Sequence, residues 1–311
     1  MNGTGIRRLF ILLGLILALG CGMQAAEGQA SAAPTEAPTE TPAVVSVSTP
    51  EQETVAIETP IPTEAPTPIP SEAPTPAPTE APTPTPTPEP KPLAGIRIGI
   101  DPGHQQRANY NTEQNAPDSE AKSEKCSSGA RGIASGVYEY RINLQVAQKL
   151  KALLEADGAT VVLTRTADNV NVSNRTRGEL LSAEAVDLAI SLHCNAADDT
   201  SVRGAFALLP TRERTQFYQE NVRAATAILE QYCEATGLKL RRRSGISYRD
   251  DQALFNWCTR PIVCIEMGHL SNESEDLLLT NDAFQDKMAF GIYAGILACF
   301  GPESTREGGN P

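Results

Sequence analysis

The chain has 311 residues, a formal net charge of −12 and 40% apolar residues. That length suits one or two ordinary domains, and the acidity argues against a nucleic-acid partner, which requires basic surface. Seven cysteines without a C-x-x-C pair argue against a disulfide-stapled module or a structural zinc ribbon. Histidine is scarce: His104, His193 and His269 are all there are, so any imidazole-based site must draw on these three.

Residues 1–25 read as an export signal. Arg7 and Arg8 precede an apolar run from Leu9 to Leu19, followed by Gly20, Cys21 and Gly22. The run is too short for an ordinary membrane span. Two endings fit. Leu17 to Cys21 resembles a bacterial lipobox, which would make Cys21 a lipid anchor, although Ala18 stands where leucine is favoured. Ordinary cleavage after Gly20 or near Ala25 would instead release a secreted protein.

Residues 26–92 read as a disordered Pro/Thr/Glu-rich linker. Of the 24 prolines in the chain, 18 lie between Pro34 and Pro92. Such a segment has no apolar face to offset its ordering entropy, and proline favours extended polyproline II. About 59 residues at ~3.1 Å each span at most ~180 Å, a reach suited to a spacer between a membrane and a cell wall.

The folded domain is expected over 93–301, with a loose tail at 302–311. Ile96 to Asp101 reads as a strand ending in a Pro102-Gly103 turn. An acidic stretch from Gln105 to Ser127, holding Glu113, Asp118, Glu120 and Glu124, reads as an insertion beside His104. It is expected as a solvated loop, or else as a groove wall or an occluding element. Glu139 to Ala156 is a helix, with Ile142, Val146, Leu150, Leu153 and Leu154 on one face. Further strands are expected at Thr160 to Thr164, Asp187 to Leu192, Ala205 to Leu209 and Ile262 to Glu266. Helices fall between them at Thr176 to Ala185 and Glu213 to Thr236, and a closing helix runs from Asn281 to Phe300. This alternation predicts an α/β fold: a mixed, mainly parallel sheet with helices on both faces.

The chemistry gathers at strand ends, where sites form in open α/β sheets. His104 follows the first strand, His193 follows DLAISL, and Glu266 ends the last strand. Two imidazoles and a carboxylate at one sheet edge suit zinc, which in catalytic sites takes three protein ligands and leaves a position open. For the third ligand Glu139, Glu266 and His269 compete, and the residues alone leave that choice open.

Taken in order, IRIGIDPGH, SSGARGIASGVYEYRINLQVAQKL, VVLTR, DLAISLHCNA and NWCTRPIVCIEMGHLSN resemble the zinc-dependent N-acetylmuramoyl-L-alanine amidases of the type-3 catalytic domain. The resemblance covers about Ile96 to Phe300. It implies one zinc ion held by His104, Glu139 and His193, with Glu266 as the catalytic residue. The implied substrate is peptidoglycan, cut between the lactyl group of N-acetylmuramic acid and L-alanine. Asn195 and His269 are expected to border the substrate. Arg165 and Arg177 match positions commonly arginine in relatives, and structural ion pairing is expected of them. The sequence departs from the family where DPGHGG is usual and DPGHQQ stands here. Two other readings remain: a zinc peptidase acting within the stem peptide, and a catalytically silent wall-binding or activator protein. Cys126, Cys233, Cys258 and Cys299 are candidates for pairing after export. Cys194 and Cys264 are expected as small core residues.

Overall fold

The computed structural model describes residues 91–301. The expected export signal, the Cys21 anchor, the linker up to residue 90 and the tail at 302–311 lie outside the described residues.

In chain order the elements are β1 (Arg97–Pro102), β2 (Asn109–Ala116), β3 (Ser119–Cys126), α1 (Glu139–Ala156), β4 (Thr160–Leu163), α2 (Asn174–Ala183), β5 (Leu188–Asn195), β6 (Phe206–Pro210), α3 (Tyr218–Thr236), β7 (Ile246–Arg249), α4 (Ala253–Trp257), β8 (Ile262–His269), α5 (Glu273–Leu279) and α6 (Asp282–Phe300). Six strands form one sheet in the order β4-β1-β5-β8-β6-β7, while β2 and β3 pair as a separate hairpin. Every pairing in the large sheet is parallel except that of β6 with β8. The mixed, mainly parallel sheet expected from the sequence is the one observed.

The period-two alternation of strand side chains divides the apolar residues between two cores. Ile190 and Leu192 of β5, with Val263 and Ile265 of β8, join the helices α1, α3 and α6 in the larger core. Ala189, Ile262 and Cys264 face the other way, against Leu181 of α2 and Leu254 and Phe255 of α4. Both faces are therefore covered, which is why the central strands read as nearly unbroken apolar runs. In α1, the buried Ile142, Val146, Leu150 and Leu154 recur every four residues and form its sheet-facing stripe. Helices α3 and α6 approach closely at Gly295, where a Cβ would come within 2.4 Å of the Ile228 Cα.

Three expectations change. The Gln105–Ser127 insertion is a β-hairpin, not a loop, and it is strapped to the domain. Trp257 Nε1 donates to the Gln114 carbonyl at 3.0 Å, Asn256 Nδ2 donates to the Asn115 carbonyl at 3.2 Å, and Arg214 pairs with Asp118 at 2.9 Å. The last strand runs three residues past Glu266 to His269, so Glu266 lies within β8. All six described cysteines are free. Cys194 and Cys264 are buried core residues, as expected.

Candidate active site

The backbone after β1 is the scaffold of the site, and two buried arginines hold it. Arg177 donates to Asp101 Oδ1 at 2.8 Å and to the carbonyls of Pro102 and His104, both at 2.9 Å. Arg165 donates to the carbonyls of Pro102 at 2.8 Å and Gly103 at 3.2 Å. These carbonyls have no strand partner beyond the sheet edge, so the guanidinium forks supply their hydrogen bonds. The ion pairing expected of both residues is present, with Asp101 for Arg177 and Asp168 for Arg165. Held this way, His104 adopts φ +62, a left-handed conformation that costs a non-glycine residue free energy and persists only where surroundings impose it.

His104, Glu139 and His193 converge. Their potential ligand atoms all lie within 4.8 Å of one another. Glu139 opens α1, and its Oε1 lies 3.2 Å from His104 Nε2 and 3.0 Å from His193 Nδ1. The carboxylate is fixed from behind: the Cys194 N–H donates to Oε1 at 3.1 Å, and the Ala130 N–H donates to Oε2 at 2.8 Å. His193 stands on β5 with its ring against Gly103, where a Cβ would lie 2.2 Å from its Cε1 and Nε2. With the ring in that place, only glycine fits there.

The donor set fits a metal ion. His104 Nδ1 faces the Ser127 carbonyl at 3.2 Å and the Ser127 hydroxyl at 2.9 Å. Donation to that carbonyl places the ring proton on Nδ1 and leaves Nε2 with a lone pair, directed at the Glu139 carboxylate. Two acceptors at that separation need a cation between them, a proton or a metal. Burial alone would lower His104, yet the facing Glu139 carboxylate raises it above the usual imidazole value. Burial alone would raise Glu139, but His104 and His193 hold it well below the ordinary carboxylate range.

Glu266 lies one strand away. It is the Cα partner of His193 across the parallel β5–β8 pair. Both line a cavity of about 320 Å³ with His104. Glu266 is buried, and its Oε2 has no hydrogen-bond partner. Burial and the neighbouring Glu139 push its carboxyl up to about 8, against a smaller opposing pull from Arg241. The far wall of the cavity includes Ser123 and Glu124 of the hairpin and the segment from Arg249 to Leu254 ahead of and within α4.

His269, expected at the substrate border, has no exposed surface. Its Nε2 accepts from Asn195 Nδ2 at 3.0 Å, its Nδ1 lies 3.5 Å from Glu275 Oε2, and its ring stacks on Phe206. Its surroundings give it a packing position away from the cavity, and they tie Asn195 to it. Ser127, which meets His104 Nδ1 through its carbonyl and its hydroxyl, and the α4 wall were not anticipated from the sequence. A serine ending an acidic insertion carries no signal of that role.

Residues 98–298 match the family described as N-acetylmuramoyl-L-alanine amidase. The chain belongs to that family. The germination-specific N-acetylmuramoyl-L-alanine amidase of Bacillus subtilis is 30% identical over 225 residues, covering 67% of this chain and 81% of that protein. Among solved structures, the amidase Ami1 of Mycobacterium abscessus shares the fold with a TM-score of 0.61 at 20% identity, over 66% of this chain and 99% of its own. The catalytic domain of the amidase CwlV of Bacillus (Paenibacillus) polymyxa gives 0.52 at 27% identity, over 65% and 96%. The amidase match spans β1 to α6, so the cavity and all four convergent residues lie inside it.

Proposed function

We propose that this amidase hydrolyses the bond between the lactyl carboxyl of N-acetylmuramic acid and the amine of L-alanine in peptidoglycan, with His104, Glu139 and His193 holding one zinc ion and Glu266 acting as general base. The observation that carries the assignment is the convergence: His104 Nε2 and His193 Nδ1 both meet Glu139 Oε1, with a buried, unpartnered carboxylate oxygen on the adjoining strand.

Zinc held by these three residues supplies Lewis acidity toward an amide carbonyl and toward water. The chain's own residues do the rest. The Glu266 carboxylate, whose ionised form a cation held beside Glu139 would favour, takes a proton from the attacking water and returns it to the departing L-alanine nitrogen. Ser127 keeps the proton of His104 on Nδ1, so that Nε2 stays available. The hairpin and the α4 segment wall the cavity and restrict water around the scissile amide.

The amidase relatives imply a cell-envelope or exported protein, and peptidoglycan is the substrate they support. Within that setting, an export signal over 1–25, a linker over 26–92, a catalytic domain over 93–301 and a tail at 302–311 are our reading of the sequence. Cys21 offers a lipid anchor, and cleavage nearby offers release. No helix among the described residues is long and apolar enough to cross a membrane.

Digestion of purified peptidoglycan with mass analysis of the products tests the assignment. New L-alanine amino termini and free lactyl carboxyls support it. Cleavage inside the stem peptide would make the chain a peptidase, and wall binding without products would make it a silent binder.

A further inference from the structure

A second groove, of about 470 Å³, lies beside the start of β6 and is lined by Arg203, Lys239 and Arg241 together with Leu238, Leu240 and Leu278. Arg242 and Arg243 follow in sequence, both exposed. None of these five cations has an ion-pair partner among the described residues. The acid lining this groove, Glu275, is buried, and its two oxygens accept the Gly204 N–H at 2.7 Å and the His269 N–H at 2.8 Å. Its charge is therefore already engaged.

The platform beneath the cations is fixed. The Ala205 N–H donates to the Lys239 carbonyl and the Arg241 N–H donates to the Ala205 carbonyl, both at 2.9 Å. One edge of the groove, at Arg241, lies near Glu266 of the catalytic cavity. The Arg241 guanidinium stacks over the Phe206 ring, 4.8 Å from its centroid, and Phe206 is the Cα partner of Glu266. One aromatic residue thus stands between Arg241 and Glu266.

We propose that this groove binds carboxylates of the stem peptide on the strand being cut. The proposal rests on the amidase reading above. In a chain of net charge −12, a cluster of uncompensated cations concentrates anions locally. Guanidinium forks match planar carboxylates in pairs of hydrogen bonds. Contiguity with Glu266 favours an anion carried by the same molecule as the scissile amide. The leucine lining suits short methyl-bearing residues such as the alanine of the stem peptide.

The test uses the full chain and the charge-reversed variant Arg203→Glu/Lys239→Glu/Arg242→Glu, in which every altered residue is exposed. A milder variant, Arg242→Gln/Arg243→Gln, covers the case in which reversal impairs folding; zinc content and thermal melting check both. Turnover is measured on peptidoglycan stripped of phosphodiester polymers, before and after its carboxylates are amidated with ammonia and a carbodiimide. On the unmodified material the triple reversal should raise KM about tenfold and the milder pair about threefold, with kcat within about twofold. Amidation should raise the KM of the parent chain to the variant's level and leave the variant unchanged. Equal KM values on unmodified material overturn the proposal, as does a difference that survives amidation. A difference seen only on walls retaining phosphodiester polymers assigns the groove to that partner instead. If the amidase reading itself fails, the parent chain frees no L-alanine amino termini from any of these materials, and the groove proposal falls with it.

Discussion

Glu266 and His193 are Cα partners on adjacent parallel strands, with their side chains on the face of the sheet that α2 and α4 cover. Strand register therefore sets the spacing between the proposed metal ligand and the proposed general base, and a slip of one residue would turn either side chain into the opposite core. Replacing Glu266 with glutamine keeps shape and register while removing the base. Zinc content should stay at one ion per chain, and kcat should fall about 10²–10⁴-fold. Wild-type turnover in this variant would sink the assignment.

The same residue predicts a pH effect in zinc-free protein. Its folded carboxyl is raised to about 8 from an ordinary 4.5, so the folded state favours the protonated form. Stability of the chelator-treated wild type should decline as pH rises from about 4.5 through about 8, as ionisation is resisted in the fold but not in the unfolded chain. Glu266→Gln should lack this decline. Parallel thermal melts of the two chains across that range measure the difference.

The sequence disclosed the parts of this site that depend on strong periodicity and on motif. DLAISL and IVCIE could only be buried strands, and their ends delivered His193 and Glu266. Glu139 was different: a carboxylate at a helix start has the same local pattern whether it binds metal or answers the helix dipole. Only tertiary convergence separates those roles. The hairpin was missed for a physical reason. NYNTEQNA and SEAKSEKC have no apolar face, and only Ala116 and Cys126 among these sixteen residues are buried. Its strands are held by side-chain hydrogen bonds from α4, which leave no hydrophobic alternation to read. Helix α4 itself has five residues, too few for a helical period.

Asp101 carries a second titration of opposite sign. Burial alone would raise its carboxyl, but the Arg177 guanidinium and the Thr164 hydroxyl hold it down to about 2. A folded value below the unfolded 3.8 contributes about 2 kcal/mol above pH ~4, lost as pH falls through about 2. Asp101→Asn leaves Arg177 without its counter-ion and should destabilise the protein by a few kcal/mol at neutral pH. The gap between the variant and the wild type should narrow in urea titrations carried toward pH 2.

Gly103 separates metal binding from folding. A methyl group there would meet the His193 ring at 2.2 Å, and the ring is the movable partner. Gly103→Ala should keep the fold, because Arg165 and Arg177 clamp the backbone carbonyls rather than any side chain at that position. Zinc affinity should drop about 10–100-fold as His193 leaves its place beside Glu139. Competition with a zinc-binding dye reads this directly, and His193→Ala, with the ligand removed altogether, sets the lower bound.

The hairpin is a fixed wall of the cavity, and its removal distinguishes a wall from a plug. Contacts from Trp257, Asn256 and Arg214 hold it, and the Arg175 N–H donates to Glu113 Oε1 at 2.9 Å. An occluding element that must swing away would have to break all of these together. Ser123 and Glu124 also line the cavity beside His104. Replacing residues 110–124 with a short glycine-containing turn should therefore raise KM on peptidoglycan, because the substrate loses one side of its channel, while His104, Glu139 and His193 continue to bind zinc. The opposite result, a gain in kcat/KM on shortening, would show that the hairpin restrains the enzyme. Trp257→Phe, which deletes the indole hydrogen bond to Gln114 and weakens the stacking of Arg175 on this ring, should move the same way by a smaller amount if the hairpin acts as a wall.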